Sequence, residues 1–189
     1  VTAPAREIYV LDTSALLALI EDEPGADRVE DLLRAAVVLL PFVVGLEVSY
    51  ISAQERSADE ADRRLALLRR LPVHWLASVP DTVLVTAGML KAQHRLSLAD
   101  ALIAAFAADA GAILVHKDPE YEALAAAVRQ ERLPYKLHRR DQSFGRSTPY
   151  RTSASRPRAS GWLAIMARSA SRRAAAASCV GRGRRSLAK

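Results

Sequence analysis

The chain has 189 residues, half of them hydrophobic and only 5% aromatic, which suits one core of aliphatic side chains with helices packed on a sheet rather than an all-β sandwich. A single cysteine, Cys179, excludes an internal disulfide and any cysteine-rich zinc module. The net charge of +6 is unevenly placed: residues 1–140 hold 16 basic and 20 acidic residues, net −4, and residues 141–189 hold 11 basic and one acidic, net +10.

Taken in chain order, Glu7 to Leu11 reads as a short buried strand, and Asp12-Thr13-Ser14 opens an apolar helix through Ile20. Pro24 and Gly25 break the chain before a helix over Ala26–Ala35. Val37–Leu40 is a second buried strand, ended by Pro41. Helices are expected over Phe42–Gln54 and Ala58–Leu71, then a strand over Val73–Leu76. Two further helices, Asp81–His94 and Ser97–Ala110, precede Gly111, a helix-ending glycine. Ala112–Val115 is a strand, Asp118-Pro119 opens a helix through Val128, and Tyr135–Leu137 is a last short strand. Strands alternate with helices and no connection reads as a hairpin, so the expected architecture is α/β with a mainly parallel sheet.

The opening residues carry no secretory pattern, because Asp12 and Glu21 interrupt the apolar run. The most apolar long stretch, Leu96 to Val115, contains Asp100 and Asp109, which a membrane helix would carry at high cost. A cytoplasmic protein with no membrane partner is expected. The texture changes after Arg140, where Arg, Ala and Ser supply 29 of the last 49 residues. The chain therefore divides into a domain over 1–140 and a basic tail over 141–189. The tail reads as a disordered extension; the other reading is a polycation that adheres to RNA.

Four acids stand out by position. Asp12 follows the first strand and Asp118 follows the Ala112–Val115 strand, so both face the crevice at the carboxyl ends of a parallel sheet. Glu47 lies near the start of the helix after Val37–Leu40, and Asp100 in the first turn of the helix before Ala112–Val115. Each also has a plain structural use. Asp12 and Asp118 suit helix caps, Ser97 with Asp100 matches a capping box, and Glu47 can be a solvated helix residue. As a set they are harder to dismiss, because Glu47 and Asp100 sit among apolar neighbours where a lone carboxylate is out of place.

Carboxylates gathered in an apolar crevice repel one another, and a hard divalent cation removes that repulsion. Mg²⁺ or Mn²⁺ takes oxygen ligands and fits such a site. Zinc does not, since His74, His94, His116 and His138 have no ligand-like spacing. The chemistry that clustered carboxylates with such a cation carry out is phosphodiester hydrolysis. Thr13 and Ser14 can either hydrogen-bond a water or phosphate there or cap the first helix.

Residues 8–16 (IYVLDTSAL), 45–48 (GLEV), 97–104 (SLADALIA) and 112–121 (AILVHKDPEY), in this order and spacing, resemble the successive motifs of the PIN-domain nucleases, and among them the VapC-type toxins of toxin–antitoxin modules. The resemblance runs over about residues 7–137. It implies a three-layer α/β/α fold, Mg²⁺- or Mn²⁺-dependent cleavage of RNA, and a homodimer neutralised by a cognate antitoxin. The family's acidic positions fall on Asp12, Glu47, Asp100 and Asp118, and its frequent hydroxyl after the first acid falls on Ser14; Asp12 and Asp100, with Glu47, are expected to hold the metal and Asp118 to complete the site or position the attacking water. The family often has Thr or Ser where this chain has His116, and Glu120 and Glu122 lie close enough to Asp118 to assist it. Two other readings compete. An aspartyl-phosphate phosphatase would need an Asp where Ser14 stands, and an inactive domain of the same type would bind RNA through its basic tail.

Overall fold

The computed structural model describes residues 7–134. Five strands, β1 (Ile8–Leu11), β2 (Val37–Pro41), β3 (His74–Leu76), β4 (Ile113–His116) and β5 (Gln130–Arg132), form one sheet in the order β3-β2-β1-β4-β5, and every pairing is parallel. Parallel neighbours require crossovers, which six helices supply as far as β4: α1 (Thr13–Ile20), α2 (Ala26–Ala35), α3 (Phe42–Glu55), α4 (Ala58–Leu68), α5 (Asp81–Gln93) and α6 (Leu98–Asp109); a short 3-10 segment over Pro119–Leu124 joins β4 to β5. The result is the expected three-layer α/β/α arrangement with a parallel central sheet.

The sequence explains the layering. β1 and β4 are central, and Val10, Leu11, Leu114 and Val115 are fully buried, as strands covered on both faces must be. α6 contributes five consecutive buried residues, Ile103 to Ala107, three of them alanines that let the helix lie close to the sheet. Beyond Asp109 the chain leaves α6 through Gly111, which adopts φ +58 as a helix-ending glycine does. α2 is the amphipathic counterpart. It buries Ala26, Val29, Leu32 and Leu33 and turns Asp27, Arg28 and Asp31 outward.

The strand order reverses direction between β1 and β4. From β1 the chain steps outward to β2 and β3, then crosses back to β4 and on to β5. Such a reversal opens a crevice at the carboxyl ends of the two central strands. Backbone pairing carries the β1–β4 ladder into that crevice, since the Asp12 N–H donates to the Val115 carbonyl at 3.0 Å.

Two elements depart from the sequence-based expectation. The helix expected over Asp118–Val128 is a 3-10 segment of only Pro119–Leu124. The ladder to β4 resumes at Arg129, whose carbonyl accepts from the Leu114 N–H at 2.9 Å, and a longer helix would leave no chain to reach it. The last strand of the described residues is Gln130–Arg132, a polar edge strand with no apolar alternation to announce it. The strand expected at Tyr135–Leu137 and the basic tail over 141–189 lie outside the described residues.

Candidate active site

Asp12 is the first residue past β1 and the N-cap of α1. Its Oδ2 accepts from the Ser14 N–H at 2.9 Å and the Ser14 hydroxyl at 2.5 Å. Its Oδ1 accepts from the Tyr121 hydroxyl at 3.0 Å. The residue is only 3% exposed. Burial pushes its pKa up, Ser14 and Tyr121 oppose that by hydrogen bonding, and the charge of Asp100 adds to the rise.

Asp100 is reached from the other side of the crevice. Ser97 caps α6 by accepting from the Asp100 N–H at 3.0 Å, and Asp100 Oδ2 accepts from the Ser97 N–H at 3.2 Å, a full capping box. The other carboxylate oxygen, Oδ1, is free of the cap and accepts from the same Tyr121 hydroxyl at 3.1 Å. One phenol thus ties together two acids separated by 88 positions in the sequence. Tyr121 is fully buried, and burial followed by the charges of Asp12 and Asp100 raises its pKa further, so it stands there as a neutral donor.

Glu47 lies on α3 and is held by the Thr13 hydroxyl, which donates to its Oε2 at 2.5 Å. Its pKa is raised, first by burial and then, after the lowering effect of Thr13, by the charges of Asp12 and Asp100. The helix can sit this close to the sheet because it carries Gly45, two residues before Glu47. A Cβ at position 45 would come within 3.0 Å of the Trp75 ring on β3.

Asp118 caps the 3-10 segment, its Oδ1 accepting from the Glu120 N–H at 2.8 Å, with Pro119 at the first helical position. Carboxylate oxygens of Asp100, Asp118 and Glu120 lie within 4.8 Å of one another, a spacing that can hold a metal ion. Asp100 therefore belongs to two groupings, one with Asp12 through Tyr121 and one with Asp118 and Glu120. Glu122 does not join them and pairs instead with Arg132.

Asp100 thus links the acids singled out by position: it shares the Tyr121 hydroxyl with Asp12, lies beside Asp118, and acts with Asp12 through its charge on Glu47, while Asp12, Asp100 and Asp118 take part in helix caps at the same time. Capping uses one carboxylate oxygen and leaves the other to face the crevice, so the structural and chemical uses do not exclude each other. Ser14 both holds Asp12 and accepts from the Lys117 N–H at 2.8 Å, fastening α1 to the end of β4. Tyr121 and the orienting role of Thr13 escaped the sequence reading. The clue available was a tyrosine three residues after Asp118, at an otherwise apolar buried position, but its hydroxyl contacts only the tertiary structure could reveal. His116 is fully buried and packs its ring on Tyr121, with centroids 4.9 Å apart.

An α/β/α sheet with carboxylates converging at its topological switch point defines a class of acid-centred domains. Within it, the PIN-domain family model matches residues 9–127, and the chain belongs to that family. No curated protein matches the sequence. Among solved structures, the fold is similar to VapBC2 from Rickettsia felis bound to a DNA fragment from their promoter, with 17% identity and a TM-score of 0.57 over 67% of this chain and 99% of that one. It is also similar to VapBC-1 from nontypeable Haemophilus influenzae, with 22% identity and a TM-score of 0.54 over 66% of this chain and 97% of the other. DNA-bound VapBC from Salmonella typhimurium is similar at 18% identity and a TM-score of 0.54, over 67% and 98% of the two chains.

Proposed function

We propose that this protein is an endoribonuclease that depends on Mg²⁺ or Mn²⁺, the toxin of a type II toxin–antitoxin module acting in the cytoplasm. The observation that carries the reading is the meeting of Asp12 and Asp100 on one buried hydroxyl, with Glu47, Asp118 and Glu120 around them. The donor set is all oxygen, which fits Mg²⁺ or Mn²⁺ and disfavours softer metals. A buried carboxylate whose pKa is pushed up by its surroundings is the electrostatic situation that a divalent cation relieves.

In this reading Asp12, Asp100 and Glu47 hold the cation, and Asp118 completes the site or orients the attacking water. When bound, such a cation supplies Lewis-acid polarisation of the phosphodiester and acidifies water near it. The chain's own residues supply order. Ser14 and Tyr121 fix both oxygens of Asp12, and Thr13 fixes one oxygen of Glu47. Asp118 and Glu120, more open to solvent than Asp12, are the acids placed to hold water or a proton at the mouth of the crevice.

Partners follow from the same reading. A cognate antitoxin is supported by the similarity in fold to the VapBC structures. Self-association into a homodimer is supported by Leu84, Val85 and Met89, which α5 leaves exposed. Among the described residues no helix is long and apolar enough to cross a membrane.

The test is cleavage of total RNA by the full chain, with Mg²⁺ or Mn²⁺ and with EDTA, beside Asp12→Asn. Cleavage by the wild type that EDTA stops and that Asp12→Asn lacks, with an unchanged circular dichroism spectrum, is the expected result. Equal cleavage by Asp12→Asn refutes the site, and RNA binding without cleavage in either metal indicates an inactive binding domain.

A further inference from the structure

A buried tyrosine hydroxyl needs a reason, because phenylalanine fills the same space without a polar group to satisfy. Tyr121 meets that need in an unusual way. Its hydroxyl lies 3.0 Å from Asp12 Oδ1 and 3.1 Å from Asp100 Oδ1, and it has one proton to donate. The near-equal distances describe a hydrogen bond shared between two acids that otherwise repel.

The side chain is braced at both ends. Gln130 Nε2 donates to the Tyr121 carbonyl at 2.7 Å, which orients the amide so that its Oε1 faces His116 Nε2 at 3.2 Å. An amide oxygen only accepts, so this contact calls for a hydrogen on His116 Nε2. The same imidazole packs against the Tyr121 ring. The edge strand β5, through Gln130, and the end of β4, through His116, therefore aim the phenol at the two carboxylates. The hydroxyl engages one lone pair on each Oδ1, and each oxygen keeps another.

We infer that Tyr121 is a positioning residue of the carboxylate site, whose hydroxyl sets the separation and orientation of Asp12 and Asp100 so that their remaining lone pairs address one divalent cation. This rests on the proposed cation site and deepens it. Partners that orient metal-binding side chains are worth about ten- to hundredfold in affinity.

The experiment compares the full chain with Tyr121→Phe. Mn²⁺ affinity is read by electron paramagnetic resonance titration, and thermal unfolding is followed in EDTA and in Mn²⁺. The variant is expected to unfold near the wild-type temperature in EDTA, to bind Mn²⁺ about ten- to hundredfold more weakly, and to show a smaller Mn²⁺-induced rise in Tm. Its RNA cleavage should recover as Mn²⁺ is raised. An unchanged or tighter Mn²⁺ affinity in the variant, with the wild type binding normally, overturns the inference and leaves the nuclease reading standing. A lowered Tm in EDTA with unchanged affinity also overturns it, since that is the mark of a merely structural role. Wild-type protein that binds no Mn²⁺ removes the functional reading and this inference together. If Tyr121→Phe does not fold, Tyr121→Met, which also lacks the hydroxyl, is read by the same criteria.

Discussion

Asp12 is the residue on which structural and chemical demands conflict most. It is buried at 3% exposure, carries the N-cap of α1, and stands near two other acids. Because its folded pKa is raised, the folded state holds the proton at a pH where the unfolded chain has already lost it. The sign follows directly. Without a cation, the contribution of Asp12 to stability is fully present at low pH and is lost as pH rises from the ordinary aspartate value through the raised one. Glu47, raised mainly by burial, acts in the same direction. As pH rises above the ordinary carboxylate range in EDTA, the unfolding midpoint of the wild type should therefore fall relative to that of Asp12→Asn, and Mn²⁺ should restore the wild type. Asp12→Asn should flatten that profile and raise the midpoint at neutral pH in EDTA, while RNA cleavage falls to background. The amide keeps an acceptor for Ser14 without carrying a buried charge. Wild-type and Asp12→Asn profiles that run parallel in EDTA would contradict the assignment.

At the scale of elements, the site depends on how closely α3 approaches the sheet. Gly45 faces the Trp75 ring of β3, where a Cβ would stand 3.0 Å from Cζ3 and 3.1 Å from Cη2. The tryptophan lies on the edge strand β3, partly buried against the core, so a Cβ at position 45 must displace its ring. Gly45→Val should wedge the helix outward, cost about 1–3 kcal/mol in chemical denaturation, and lower cleavage further than the stability loss alone accounts for, because Glu47 moves with the helix. Unaltered cleavage in a folded Gly45→Val would show that the position of α3 does not matter to the site. The 3-10 segment is the second such element. Its shortness returns the chain in time for β5 to pair with β4, and that pairing brings Gln130 under the Tyr121 carbonyl.

At the scale of the fold, the described residues 7–134 bury β1, β4 and α6 at the centre of one core, with helices covering the sheet. We propose that residues 1–140 form the working domain and that the basic extension, with net charge +10 over 141–189, adds affinity for RNA without chemistry. Truncation after Arg140 should leave the unfolding midpoint and EDTA-sensitive cleavage in place at low salt, while RNA binding weakens and loses part of its salt dependence. Loss of cooperative unfolding in the truncated chain would move the domain boundary toward the C-terminus.

Much of this protein was legible in one dimension because local rules act locally. The alternation of strand and helix, the caps at Asp12, Ser97 and Asp118, and the breaks at Pro24 and Gly111 depend on neighbours a few residues away. The four acids stood out because each falls beside a strand end or in a helix close to one, at the carboxyl side of a parallel sheet where ligands commonly bind. Other features depended on contacts between distant segments. The polar strand β5, the shortened turn after Asp118, the hold of Thr13 on Glu47 and the shared hydroxyl of Tyr121 leave no periodic trace, since each partner lies tens of residues away. Hydrophobic spacing records which face of an element is buried, whereas the atom that meets a buried oxygen is decided only when the layers pack.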